Sequence, residues 1–324
     1  MILPVRSSAR AVAQDEATRA FAADVVAGLG AQPKALSPKY FYDTAGSALF
    51  EDITRLPEYY PTRTELAILK DNARAVAAAI PKGAVLVEFG AGSAAKAKIL
   101  LNAAPQIAAY VPVDISAEFL VDEATRLERD IPRIGVHPVA ADFTQRFALP
   151  AAVEGRPRVG FFPGSTIGNF EPHEASEFLR QAANILGPGA SLIVGADLVK
   201  DEAVLHAAYN DAAGVTAQFN LNLLVRMNRE LGADFDLAQF EHHAFFNRAK
   251  SRIEMHLASR KRQTVRVCGR NFSFRAGETI HTECSHKFTV ASFGALARGA
   301  GWTQHAVYVD ARDYFSVHLL TRAG

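Results

Sequence analysis

Between residues 83 and 197 the chain alternates short runs of apolar, often β-branched residues with stretches whose apolar positions recur every three or four residues. Continuous apolar runs fit strands buried on both faces, and the three-to-four spacing fits helices with one buried stripe. Their alternation predicts a doubly wound α/β core, a parallel sheet with helices on both sides. The strands fall at Val85–Phe89, Tyr110–Asp114, Gly135–Ala140, Arg158–Pro163 and Ser191–Ala196, and the helices at Ala94–Ala104, Ala117–Arg129 and His173–Leu186. Gly187-Pro188-Gly189 closes the last helix, because glycine accommodates the left-handed stop and proline prevents continuation.

After Asp197 the rhythm changes. Helical spacing at 201–209 and 217–231 gives way to alternating segments at Arg252–Ala258, Thr264–Val267, Asn271–Phe274 and Glu278–Phe288, which read as antiparallel strands. A helix near Ala291–Gly299 and strands near Trp302–Asp310 and Phe315–Thr321 are expected to return the chain to the first sheet as an edge hairpin. The N-terminal 29 residues read as an amphipathic helix, since acids come early and no apolar segment precedes a small-residue cleavage site.

Length and composition narrow the classes. At 324 residues the chain exceeds one ordinary domain, and no apolar run approaches the roughly 20 residues that span a bilayer, so a protein without membrane segments is expected. The formal net charge of +1, without a lysine or arginine block, argues against nucleic acid as a partner and for a small substrate. Only Cys268 and Cys284 are present, without C-x-x-C spacing, which fits a cytoplasmic protein. The ten histidines show no ligand spacing, so no metal is expected.

The chemistry begins where the first strand ends. Glu88-Phe89-Gly90-Ala91-Gly92-Ser93 puts small residues at a strand's carboxyl end just before a helix, where backbone must pass close to a ligand. Asp114 ends the second strand, where a carboxylate can accept from both ribose hydroxyls; Asp142, with Phe143, follows the third, where it can accept from an adenine amino group. That layout suits S-adenosylmethionine. A nicotinamide enzyme also carries an acid after its second strand and stays open on these residues alone, although it leaves Asp142 without a task. The fourth strand leads into Pro163-Gly164-Ser165-Thr166-Ile167-Gly168-Asn169, where Asn169 offers donors and an acceptor to a zwitterion or simply shapes a turn. Asn169 is followed by Phe170-Glu171-Pro172, not the proline pair of nucleic-acid methyltransferases.

Longer strings carry a resemblance. Lys39-Tyr40-Phe41-Tyr42-Asp43, Gly46-Ser47-Ala48-Leu49-Phe50-Glu51-Asp52-Ile53-Thr54 and Leu56-Pro57-Glu58-Tyr59-Tyr60-Pro61-Thr62-Arg63 are joined by the Gly164–Asn169 loop, Asp197-Leu198-Val199-Lys200-Asp201, Tyr209-Asn210-Asp211 and Thr216-Ala217-Gln218-Phe219-Asn220. Arg229-Glu230-Leu231-Gly232-Ala233-Asp234-Phe235, Arg252-Ile253-Glu254-Met255 and Thr282-Glu283-Cys284-Ser285 extend the match over nearly the whole chain. In this order the strings resemble the bacterial histidine-specific methyltransferase family, which makes hercynine for ergothioneine.

The resemblance implies a Rossmann-like S-adenosylmethionine methyltransferase core at 62–197 and 288–324, with a second α+β substrate domain from 1–61 and 198–287 and the acceptor site between them. It implies a cofactor site at Glu88, Gly90, Gly92, Lys96, Asp114, Asp142 and Phe143, and L-histidine as substrate; a monomer is expected. Tyr59, Asn169 and Tyr209 would hold the amine and carboxylate, Glu283 and Ser285 the imidazole, while Phe50, Gly164 and Met255 line the pocket. Tyr42 and Tyr59 would act on the amine. The cofactor loop departs from the family: Gly90-Ala91-Gly92-Ser93-Ala94-Ala95-Lys96 stands where relatives have a more polar run, and Lys96 keeps its place. Other amino acids or amines remain open as acceptors, and so does a noncatalytic nucleoside-binding role.

Overall fold

The computed structural model describes residues 5–323. The chain opens with α1 (Val5–Gly30), β1 (Lys34–Ala35), α2 (Thr44–Arg55), α3 (Tyr60–Asp71) and α4 (Ala73–Ala78). Alternation follows: β2 (Val85–Phe89), α5 (Ala95–Ala103), β3 (Ala109–Asp114), α6 (Ala117–Asp130), β4 (Gly135–Val136), β5 (Val139–Ala140), β6 (Arg158–Phe162), α7 (Pro172–Leu186) and β7 (Ser191–Asp197). Then come α8 (Glu202–Tyr209), α9 (Val215–Leu231), β8 (Phe240–Asn247), β9 (Arg252–Ser259), β10 (Gln263–Val267), β11 (Arg270–Phe274), β12 (Thr279–His286), α10 (Val290–Gly299), β13 (Thr303–Val309) and β14 (Phe315–Thr321). Among the described residues no helix is long and apolar enough to cross a membrane.

The chain divides into two compact units: Met1–Tyr59, Glu202–Asn247 and Ile253–Cys284 form the first, and Tyr60–Asp201, Arg248–Arg252 and Ser285–Gly324 the second.

The second unit holds an eight-stranded sheet in the order β13-β14-β7-β6-β2-β3-β4, with β5 also on β3. Strands β4, β5, β3, β2, β6 and β7 are parallel, while β14 runs antiparallel to β7 and β13 antiparallel to β14. Every residue of β2 and β7 is buried, because helices cover both faces. Alternate side chains feed two apolar layers: Leu86, Tyr110, Val159, Phe161 and Ile193 meet α5 and α6 residues such as Leu100 and Leu127, whereas Val85, Val87, Phe89, Val111 and Val194 meet Phe178, Leu179 and Phe293 of α7 and α10.

One expected strand, Gly135–Ala140, is broken. Tyr110 pairs with Val136 and Val113 with Val139 at one constant offset, which sets Pro138 level with Pro112. The His137 N–H donates to the Tyr110 carbonyl and the Ala141 N–H to that of Asp114, but Pro112, between them on β3, has no N–H to return, so the ladder lapses between β4 and β5 and resumes in the same register.

The first unit packs helices on a four-stranded sheet in the order β1-β12-β9-β8. Phe21, Val25 and Leu29 supply the buried stripe of α1, and Phe219, Leu223, Leu224, Met227 and Leu231 that of α9. The alternating segments after residue 252 divide between two sheets: β9 and β12 lie in the four-stranded one, while β10 and β11 make a separate antiparallel hairpin, turned by Cys268 (φ 49°) and Gly269 (φ 73°), a backbone pair that suits the twist of a two-residue loop. A further strand, β8, escaped notice because Phe240 and Ala244 are its only buried residues, four apart, so it shows no apolar alternation.

Candidate active site

In the sheet of the second unit, β2 lies between β3 and β6; the chain leaves β2 toward β3 and later returns on the other side to β6. Ligands of open α/β sheets bind outside the carboxyl ends of strands at such a reversal. Gly90, just past β2, has φ of +72°, and its N–H and that of Ala91 donate to the Val113 carbonyl at 2.8 and 3.0 Å. A Cβ at Gly90 would lie 3.1 Å from the Phe143 ring, which packs edge-on against Phe162 and Phe178. A Cβ at Gly92 would meet nothing within 4 Å, so the backbone there fronts open space.

The acids differ in environment. Glu88 is 2% exposed and accepts from the Tyr110 hydroxyl; burial pushes its carboxyl up to about 8 despite that bond and the Lys96 charge, so it is mostly neutral at pH 7. Asp114 is raised by burial, partly offset by backbone N–H groups including that of Ser116 at 2.9 Å. Asp142 accepts from the Thr144 N–H at 2.9 Å and hydroxyl at 2.5 Å, both on Oδ1.

Lys96 pairs with Glu65 Oε2 at 2.6 Å. The buried Glu65 carboxylate also accepts the Gly164 N–H at 2.9 and 3.0 Å, and a Cβ at Gly195 would lie 2.0 Å from its Oε1. One carboxylate thus ties the helix after the cofactor loop to the loop after β6. Sequence reading overlooked Glu65, although its spacing with Thr64, Ile68 and Leu69 places it on the buried stripe of α3.

The loop after β6 turns at Gly164 (φ 81°) and Ser165 (φ 57°), then makes a single 3₁₀ turn, Thr166–Asn169, that ends at half-buried Asn169. The Asp197 N–H donates to Ser165 Oγ at 2.8 Å. Asp197 is itself the hub of a buried network: its Oδ2 takes the Tyr60 hydroxyl at 2.7 Å and faces Lys287 Nζ at 2.7 Å, and its Oδ1 takes Lys200 Nζ at 2.6 Å. Burial alone would raise the Asp197 carboxyl, but the charges of Lys287 and Lys200 and their hydrogen bonds hold it below the usual range. Lys200 is pushed down to about 8 by burial, against the pull of Asp197. Lys287, with no exposed side chain, also donates to Ser285 Oγ at 2.8 Å. None of Tyr60, Asp197 and Lys287 was singled out from sequence, since only the fold brings residues so far apart in the chain together.

In the first unit, four of the sequence-selected residues meet. Ring centroids of Tyr42 and Phe50 are 5.7 Å apart, Phe50 and Tyr59 6.3 Å, and Tyr59 and Tyr209 6.5 Å. Phe219 of α9 joins Tyr42 at 5.8 Å and Phe50 at 6.0 Å, a member of the group that had been given no role. Asp43, next to Tyr42 in the chain, caps α2 through the Gly46 N–H at 2.7 Å and takes Asn222 at 2.8 Å and Arg229 at 2.6 Å. Gly46 is required there, because a Cβ would fall 1.7 Å from the Phe41 carbonyl oxygen.

Glu283 and Ser285 are buried on β12 and, one residue apart, leave the strand on the same face. Met255 is buried on β9, which neighbours β12. The fold also brings Glu254, His256 and His281 within 4.8 Å of one another, a grouping invisible to spacing rules; there Glu254 accepts from Asn247 at 3.0 Å and pairs with His256 at 3.2 Å.

A family model described as histidine-specific methyltransferase, SAM-dependent, matches residues 21–322. The histidine N-alpha-methyltransferase of Mycolicibacterium smegmatis is 45% identical over 98% of this chain and 99% of its own length, and that of Mycobacterium tuberculosis 43% over the same shares. Ergothioneine biosynthesis protein 1 of Neurospora crassa is 33% identical over 62% of this chain and 23% of its own. Matched over nearly its full length, the chain belongs to the S-adenosylmethionine-dependent, histidine-specific methyltransferase family.

Proposed function

We propose that the chain transfers three methyl groups to the α-amino nitrogen of L-histidine, giving the trimethylated betaine hercynine, the first step of ergothioneine biosynthesis. The observation that carries this reading is the group of aromatic rings formed by Tyr42, Phe50, Tyr59, Tyr209 and Phe219. Each methylation moves the amine toward a permanent cation, and ring faces and phenolic oxygens accommodate a quaternary ammonium that can no longer donate a hydrogen bond.

The carboxyl end of the sheet fits S-adenosylmethionine. Gly90 brings backbone close, Gly92 fronts space that a side chain would fill, and Asp114, the last residue of β3, and Asp142, just past β5, would take ribose and adenine, with Phe143 beside Gly90. Bound there, the cofactor supplies an activated methyl on a cationic sulfonium. Lys96, spent on Glu65, would act by holding the Gly164 loop rather than by touching the cofactor. Glu88, neutral and bonded to Tyr110, would support the glycine turn from beneath.

The chain's own tasks are to align the amine and to receive it without its extra proton, because an ammonium has no lone pair to attack. Tyr59, Tyr209 and Asn169 would hold the amine and carboxylate, and Tyr42 and Tyr59 would orient the nitrogen, its proton leaving through water near Tyr42. Phe50, Gly164 and Met255 would line the pocket. Glu283 and Ser285 would bind the imidazole; an apolar side chain in its place would leave a buried acceptor empty at a cost of about 1–3 kcal/mol.

Mass spectrometry of the purified chain with S-adenosylmethionine and all free amino acids tests the proposal. Histidine gaining one, two and finally three methyls, with no other acceptor, is expected. Methylation of another amino acid would overturn the reading of Glu283, and no gain at all would overturn the enzyme reading.

A further inference from the structure

Tyr209 closes α8, and its backbone carbonyl falls among the last four of the helix, which no N–H of the helix itself reaches. His242 of β8 meets that carbonyl, with Nε2 at 2.8 Å from the oxygen. Two residues along the same face of the strand, the Ala244 carbonyl takes the Asn210 side-chain amide at 3.2 Å, so β8 holds the end of α8 at two points. On the other ring nitrogen stands Asn220 of α9, which is 0% exposed, with Nδ2 at 2.9 Å from His242 Nδ1 and 3.0 Å from the His256 carbonyl. All of these residues belong to the first unit.

The partners fix each proton. A carbonyl only accepts, so the Asn220 group that faces His256 is the NH2, and the amide oxygen is left for the Thr282 hydroxyl at 2.8 Å. The NH2 gives its second hydrogen to His242 Nδ1, which is therefore bare. The ring proton then sits on Nε2 and points at the Tyr209 carbonyl, which again only accepts. Both ends of the ring demand the same neutral tautomer, because an imidazolium would set Nδ1–H against the Asn220 hydrogens. Burial pulls the ring below its ordinary value, against the Tyr209 bond and the Asp211 charge and together with exposed His243. Asp211 is itself engaged at the start of α9, where it accepts the Val215 and Thr216 N–H groups, each at 2.8 Å.

Tyr209 ends the aromatic group that begins at Tyr42, its ring 6.5 Å from that of Tyr59. We propose that His242 is a positioning residue for the acceptor: its Nε2–H clamps the last carbonyl of α8, so that the Tyr209 ring keeps its place beside Tyr59. The inference rests on the reading of this aromatic group as the site of the histidine amine. A side chain without a donor at 242 releases the end of α8 and with it the Tyr209 ring. The residues assigned to S-adenosylmethionine all lie in the second unit and keep their own contacts.

Steady-state assays of the full chain at about pH 8, where a histidine side chain is neutral, test the proposal through separate KM values for histidine and S-adenosylmethionine. His242→Leu removes the bonds to Tyr209 and Asn220 and should raise the KM for histidine about tenfold, while that for S-adenosylmethionine stays within about twofold of the unaltered protein. His242→Gln, which carries an amide N–H to the same carbonyl and cannot titrate, should recover most of the difference. Should His242→Leu fail to fold, nitrogen NMR spectra of the unaltered chain decide the matter, the His242 signals being those missing from His242→Gln. A bare Nδ1 and a protonated Nε2 at about pH 7 are expected. An unchanged KM for histidine in His242→Leu, an equal rise in both KM values, or a proton on Nδ1 would overturn the inference. An unchanged KM for histidine in Tyr209→Ala would instead remove the reading on which it rests, with the His242 tautomer still as described.

Discussion

Replacing Glu88 with glutamine should make the chain more stable as the pH rises. The carboxyl is 2% exposed and burial raises it from 4.5 to about 8. Below about pH 4.5 it is protonated in both the folded and the unfolded chain and costs nothing. Between about 4.5 and 8 the unfolded chain releases the proton and the folded one keeps it, so folding loses about 1.4 kcal/mol per pH unit, roughly 3 kcal/mol by pH 7 and roughly 5 once the folded carboxyl ionises. Glutamine retains an oxygen to accept from the Tyr110 hydroxyl and has nothing to ionise. Urea unfolding of both proteins at about pH 5, 6, 7 and 8 measures the difference, which should start near zero and widen by about 1.4 kcal/mol at each step up to pH 7, slightly less beyond it. Parallel stability curves would show that Glu88 is ionised in the folded chain and that burial does not govern it.

Other sites give equally definite expectations. Gly90→Ala forces a side chain into a left-handed backbone and to within 3.1 Å of Phe143, which should cost about 1–2 kcal/mol, lower the Tm and weaken S-adenosylmethionine binding several-fold. Asp43→Ala removes the α2 cap and the partner of Asn222 and Arg229; thermal unfolding should report a loss of about 1–2 kcal/mol, and the KM for histidine should rise as Tyr42 loosens. His318, fully buried, is pushed down to about 4 from 6.5, so the unfolded chain takes a proton that the folded one refuses; stability present above about pH 6.5 should fall by roughly 3 kcal/mol as the pH drops to about 4, and His318→Gln should flatten that part of the curve.

The strands β2, β3, β6 and β7 were legible in the sequence because helices on both faces make them mostly apolar, and each ends at or just before a glycine, a proline or an acid. The gap between β4 and β5 was not, since it depends on where Pro112 of β3 falls against that segment, a matter of register that no single segment contains. Strand β8 was hidden by its lack of an apolar face, and β1, two residues long, by its brevity. For the candidate site, resemblance selected Tyr42, Phe50, Tyr59 and Tyr209, which the fold joins through ring contacts, but not Phe219 that completes the group. Glu65 was in principle visible as an acid on a buried helical stripe, whereas the junction of Asp197 with Lys287 has no local signature.

Five times along its length the chain passes from one compact unit to the other, first between Tyr59 and Tyr60 and last between Cys284 and Ser285. A hybrid that borrowed the smaller unit from a relative would need five splices, the last of them cutting β12 between Glu283 and Ser285. Exchange of the whole unit is therefore a demanding way to make a hybrid of this fold. Single replacements along a strand such as β12 leave all five crossings as they are.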